Sequence, residues 1–127
     1  MDSVVLDSSA VLAFLYGEPG GEHVSKVLHG AAISTVNFAE VLARLIDRGW
    51  PDTEALAMIS NLPLLVRAFD SDHAISAGLL RPDTRRLGLS LGDRACLALA
   101  RAEGLPVLTS DRAWASLDVG VEIRMIR

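Results

Sequence analysis

Four carboxylates of this chain stand where backbone elements end: Asp7 in VVLDSSA, Glu40 in NFAEV, Asp93 in LGDRACLALA and Asp111 in VLTSDRAW. Asp7 and Asp111 each follow an apolar run that reads as a buried strand, and Asp93 opens a strongly apolar helix. In a parallel α/β sheet the carboxyl ends of neighbouring strands face one crevice, so acids at such positions can meet there. Bare carboxylates sharing a pocket repel, and some must take up protons. A divalent cation removes that conflict and gives the cluster a purpose, since a bound ion can activate water.

Each acid also has an ordinary explanation. Asp7, Asp93 and Asp111 all precede helical stretches, and aspartate is a favoured N-cap. Glu40 lies on a helical wheel opposite the stripe of Phe38, Leu42, Leu45 and Ile46, so the pattern alone leaves it on the surface. The set is more specific than its members, because three of the four fall where the backbone turns between a buried element and a helix. Helix N-termini help to hold such groups ionised. Ser9, Thr109 and Ser110 stand close by in sequence and can orient carboxylates or waters.

Other combinations carry less. Asp70, Asp72 and His73 read as a helix cap followed by a solvated face, and His23, His29 and His73 lack zinc-type spacing. GEPGG lacks the lysine and hydroxyl residue that complete a P-loop. No G-x-S-x-G elbow supports a serine hydrolase. Cys96, the single cysteine, lies among Ala95, Leu97 and Leu99, surroundings that do not favour a thiolate. Trp50 and Trp114 read as packing residues.

The elements that must position the acids alternate. Residues 3–6 read as a strand, followed by a helix over 10–16 with Ser8 and Ser9 as cap oxygens, a Gly/Pro break at 17–21, and a helix over 22–28. A buried strand at 31–34 leads into a helix over 35–48 that Gly49 and Pro51 end. Asp52 or Thr53 caps a helix reaching residue 62. A strand over 64–69, a helix over 70–80 capped by Asp70 or Ser71, a loop at 87–91 and the apolar helix 93–103 come next. Strands over 107–109 and 121–126 flank a short helical turn at 113–116. This alternation predicts an α/β fold with a mostly parallel sheet, as a single domain over residues 1–127.

The chain is 127 residues long and half hydrophobic, enough for one full core. No apolar run reaches the roughly 20 residues that span a bilayer, no basic segment precedes an apolar start, and one cysteine forms no internal disulfide; a cytoplasmic location without a signal peptide is expected. The net charge of −4 argues against non-specific duplex binding. All basic residues but Lys26 are arginines, the residue suited to phosphate, and Arg94 and Arg112 each follow one of the acids directly.

With these residues in view, the chain resembles the PIN domain, and more narrowly the VapC toxins of bacterial toxin–antitoxin pairs, over essentially its whole length. VVLDSSAVLAFL places Asp7 at the family's first acid and Ser9 at its accompanying hydroxyl. ISTVNFAEVLARL places Glu40 at the second, LSLGDRACLALA places Asp93 at the third, and LPVLTSDRAW places Asp111 at the fourth with Thr109 as hydroxyl. The resemblance implies an α/β/α sandwich and a Mg²⁺-dependent endoribonuclease, with Mn²⁺ as substitute, acting on single-stranded or looped RNA. It also implies a homodimer restrained by a cognate VapB-like antitoxin that brings a basic side chain to the acids. In this reading Asp7 and Asp93 are the most direct metal ligands, and Glu40 and Asp111 complete the site directly or through water. Arg94 and Arg112 are candidate RNA contacts. The alternatives are a non-catalytic PIN-fold binding module, or a metal-dependent DNA nuclease or phosphatase.

Overall fold

The strands are short, and side chains along each alternate between two faces. Val4, Leu6, Ile33 and Leu108 point into one apolar cluster, while Val5, Ala32 and Val107 point into another. The computed structural model describes residues 3–127. It contains strands β1 (Val5–Leu6), β2 (Ala32–Ser34), β3 (Leu65–Arg67), β4 (Val107–Thr109) and β5 (Ile123–Met125). They form one sheet in the order β3-β2-β1-β4-β5, with every neighbouring pair parallel.

The helices are α1 (Ser8–Leu15), α2 (Gly21–Val27), α3 (Thr35–Asp47), α4 (Asp52–Ser60), α5 (Ser71–Leu79), α6 (Arg81–Thr84) and α7 (Leu91–Glu103), with 3-10 turns at Arg85–Leu87 and Arg112–Ser116. The first cluster also holds Val11, Val24, Val41, Leu45 and Ile59, so α1 to α4 cover one face. The second holds Cys96, Leu97, Leu99, Leu80 and Trp114, so α7 and its neighbours cover the other. The result is an α/β/α sandwich with a fully parallel sheet. Each fully buried leucine or valine contributes about 1.5–3 kcal/mol.

Connections β1-α1-α2-β2 and β2-α3-α4-β3 build the sheet outward to one edge, and the chain then returns past β1 to lay down β4 and β5. The strand order reverses between β1 and β4. This is the topological switch point, where a crevice opens beyond the carboxyl ends of the strands. Asp7 immediately follows β1, and Ser110 and Asp111 follow β4. Among the described residues, no helix is long and apolar enough to cross a membrane.

Several boundaries differ from the pattern reading. Ser8 and Ser9 belong to α1, whose N-cap position is Asp7. α4 begins at Asp52 behind Pro51, which has no side-chain cap. α5 is capped by Asp70, which accepts the His73 amide. α7 starts two residues before Asp93, at Leu91, with Ser90 as N-cap. α6 and the first 3-10 turn occupy a stretch in which Pro82 sits at the start of a helix, where its missing N–H does no harm. In α3 the buried residues are Asn37, Val41 and Leu45. Phe38 and Leu42 are half-buried against the core, but Ile46 is exposed, so the true inward stripe lies one position away from the apolar one. GEPGG is the α1–α2 turn. Gly20 has φ +93°, and a Cβ there would overlap the Ile126 backbone.

Candidate active site

Asp7 is the deepest of the four acids, only 3% exposed. It occupies the N-cap position of α1, but its side chain makes no capping hydrogen bond. Its Oδ2 instead accepts from the Ser9 and Thr109 hydroxyls, each at 2.7 Å. Ser9 Oγ in turn accepts the Ser110 amide at 3.1 Å, and Thr109 Oγ1 accepts the Asp111 amide at 3.0 Å. Two hydroxyls therefore fasten the carboxylate to the backbone that follows β4. Burial is the main influence on Asp7 and raises its pKa from 3.8 to about 6. The two hydroxyls oppose the rise, and the charges of Asp93 and Glu40 add to it.

Glu40 arrives from α3. It is half-buried rather than solvated, which corrects the helical-wheel reading. Two residues that the sequence did not single out hold it. Asn37 Nδ2 donates to Glu40 Oε1 at 2.9 Å and to the Gly92 carbonyl at 3.0 Å. Gly92 itself leaves room, because a Cβ there would collide with the Glu40 carboxylate. The signals that could have revealed them were the Asn37–Glu40 spacing of three, which places both on one helix face, and a glycine directly before Asp93.

Asp93 forms a capping box: its amide donates to Ser90 Oγ at 3.1 Å and its Oδ2 accepts the Ser90 amide at 2.9 Å. Asp111 is exposed and does cap, with Oδ1 accepting the Ala113 amide at 3.0 Å. The fold brings Glu40 and Asp93 within electrostatic reach of Asp7, while Asp111 is exposed and tied in through Thr109. Among the described residues no ion pair involves any of the four.

All four carboxylates share one feature. Among the described residues, each has one oxygen fixed by the protein and a second that takes no hydrogen bond within about 3 Å: Asp7 Oδ1 (only a 3.4 Å contact from Ser8), Glu40 Oε2, Asp93 Oδ1 and Asp111 Oδ2. Hard anionic oxygens without competing imidazole or thiolate suit Mg²⁺ or Mn²⁺, so the donor set fits such an ion. Among the described residues, however, no three acidic, histidine or cysteine side chains stand close enough to enclose an ion directly.

Cys96 is fully buried, and burial, followed by the charges of Asp7, Asp93 and Glu40, pushes its thiol well above the usual range. It is a neutral packing residue. Arg94 Nη1 donates to the Ala77 carbonyl of α5 at 3.0 Å, so its guanidinium ties α7 to α5. Arg112 is exposed beside Asp111. Trp114 is fully buried and packs in the second core cluster, whereas Trp50 is partly exposed.

Comparison with known proteins bears on the fold and family. The PIN domain family matches residues 4–120. Ribonuclease VapC42 of Mycobacterium tuberculosis is 30% identical over 115 residues, covering 83% of this chain and 88% of the relative. Among solved structures, DNA-bound VapBC from Salmonella typhimurium superposes with a TM-score of 0.76 at 20% identity, over 100% of both chains. The sarcin–ricin loop cleaving toxin VapC20 of M. tuberculosis gives 0.72 at 16% identity, over 94% of this chain and 98% of that one.

Proposed function

Because the chain belongs to the PIN domain family, we propose that it is a VapC-type endoribonuclease whose catalytic centre is the crevice of Asp7, Glu40, Asp93 and Asp111. A VapC ribonuclease relative that matches most of this chain supports the activity. The observation that carries the site assignment is that, among the described residues, each of the four acids keeps one oxygen without a short hydrogen bond and has no cation paired to it.

PIN-type VapC nucleases depend on metal, and Mg²⁺ is the ion this oxygen set suits, with Mn²⁺ as substitute. Asp7 and Asp93 would hold it most directly, with Glu40 and Asp111 completing its surroundings through their free oxygens. When bound, such an ion lowers the pKa of a water and offsets charge developing on phosphoryl oxygens.

The chain's own residues do the rest. Ser9 and Thr109 fix Asp7 by one oxygen and leave the other directed to chemistry. Burial of Asp7 next to Glu40 and Asp93 concentrates negative charge, and this local field selects a cation over a proton once the pH exceeds the Asp7 pKa. No side chain acts as nucleophile, since Cys96 is inaccessible and neutral. Arg112 supplies an exposed guanidinium for a backbone phosphate. Arg94 serves that role only if it leaves Ala77.

The protein acts on cytoplasmic RNA as a homodimer, and a VapB-like antitoxin restrains it by covering the acids with a basic segment. VapBC assemblies among the structural relatives support that partnership. The test is sequencing of RNA ends after expression of this chain alone and of Asp7→Ala, with matched DNA and a phosphomonoester offered to the purified protein. Defined RNA ends that vanish in Asp7→Ala support the proposal. Equal cleavage by both proteins, or turnover of DNA or the monoester in preference to RNA, overturns it.

A further inference from the structure

We infer that Asn37 is a positioning residue for the metal centre, setting the spacing between Glu40 on α3 and Asp93 on α7. The inference rests on the four-acid reading of the crevice and names a residue that reading does not contain. Asn37 is completely buried, and its one amide nitrogen serves two acceptors on different helices, Glu40 Oε1 at 2.9 Å and the Gly92 carbonyl at 3.0 Å. Gly92 directly precedes Asp93 in the first turn of α7. A single side chain therefore links the helix that carries one acid to the backbone that carries the next.

The chemistry of the amide accounts for its use here. Both partners are pure acceptors, so the NH₂ group must face them, and the flipped amide would set its oxygen against two oxygens. A neutral donor orients Glu40 without neutralising it, whereas a lysine or arginine at this place would satisfy the charge that a metal ion needs. Gly92 completes the clamp from the opposite side, since any Cβ there would push the carboxylate off its seat. Asn37 Oδ1 has no hydrogen-bond partner among the described residues. Keeping an asparagine with an orphaned buried oxygen is unfavourable for packing alone, which points to the two donated bonds as its purpose.

The alternative is that Asn37 merely joins α3 to α7. Binding of Mn²⁺ by calorimetry, alongside thermal melting of the metal-free protein, separates the two. Asn37→Leu, of the same branching but larger, removes both donors. It is expected to weaken Mn²⁺ binding ~10–100-fold, the usual effect of losing a group that orients a metal ligand. Asn37→Ser has a single hydroxyl donor, which cannot serve both acceptors, and is expected to fall between wild type and Asn37→Leu; it provides the measurement if Asn37→Leu does not fold. In a Glu40→Ala background either substitution should cost much less Mn²⁺ affinity, because only the bond to the Gly92 carbonyl before Asp93 remains to be lost. Wild-type affinity in folded Asn37 variants, or a loss of the same size in the Glu40→Ala background, overturns the inference while leaving the site reading intact. If Glu40→Ala binds Mn²⁺ as tightly as wild type, Glu40 is no ligand, and both the four-acid reading and the inference fail.

Discussion

The Thr109 hydroxyl donates to Asp7 Oδ2 at 2.7 Å across 102 residues of sequence, joining the end of β4 to the end of β1. Thr109 Oγ1 also accepts the Asp111 amide at 3.0 Å, so one hydroxyl sets the placement of two of the four acids. Thr109→Val keeps the shape and removes both bonds. Cleavage is expected to drop ~10–100-fold, as for other groups that orient metal ligands, while stability falls by about 1–3 kcal/mol for the buried groups left unpaired. Thr109→Ser, which restores the hydroxyl, should recover most of the activity. Kinetics and melting of the two variants check this; full activity in Thr109→Val would remove the hydroxyl from the mechanism.

Asp7 makes the metal-free protein sensitive to pH in an unusual direction. Burial raises its folded-state pKa from 3.8 to about 6, so folding favours the protonated acid. That contribution is complete below pH 3.8 and is lost as the pH rises to 6. Above pH 6 the ionised, unpaired group costs about 3 kcal/mol, at 1.36 kcal/mol per pKa unit. Asp7→Asn should therefore stabilise the metal-free protein at pH 7.5, with the gain shrinking toward zero near pH 4. Denaturant melts in a chelator at the two pH values give the answer. A variant less stable than wild type at pH 7.5 contradicts the buried-charge account.

Asp93 and Asp111 combine helix capping with proposed catalysis, and asparagine separates the two roles. Asparagine caps about as well as aspartate, so Asp93→Asn and Asp111→Asn should each remain within about 1 kcal/mol of wild-type stability. Asp93→Asn is expected to abolish cleavage, because Asp93 lies within electrostatic reach of Asp7. Asp111→Asn should have the smaller effect, since the exposed Asp111 is held by its own cap. Unchanged Mn²⁺-dependent cleavage by Asp93→Asn would falsify its assignment as a ligand.

Strands and breaks were legible in the sequence because they follow from local rules. Valine-rich runs such as VVL, and punctuation by Gly49, Pro51, Gly104 and Pro106, depend on little beyond neighbouring residues. Of the proposed site, Asp7, Asp93 and Asp111 stood out by pattern, since they sit near element ends where a parallel sheet opens, and the resemblance alone brought in Glu40. Its position depends on contact between α3 and α7, residues far apart in the chain. The apolar stripe misled for the same reason. Asn37 is buried through two hydrogen bonds rather than through hydrophobicity, and Ile46 is exposed although it is apolar. A polar residue taken into the core by a tertiary partner is invisible to a pattern that counts only hydrophobic positions.

Metal binding and proton binding compete at Asp7, which links the pH dependence to the proposed activity. An ion that takes up Asp7 Oδ1 requires the ionised carboxylate. Above the Asp7 pKa of about 6 the group is already ionised, and Mn²⁺ affinity should change little with pH from this source. Below it, binding must release a proton, and the affinity should fall about tenfold per pH unit. The ion also offsets the unfavourable charge in the crevice, so it raises stability by mass action, by about 2.7 kcal/mol at a hundred times the dissociation constant. Melts with and without Mn²⁺ at pH 5 and pH 7.5 should show a large shift at pH 7.5 and a much smaller one at pH 5. Asp7→Asn should abolish the pH dependence of that shift along with most of its size. An equal Mn²⁺-induced shift at both pH values in the wild type would mean that the ion binds elsewhere.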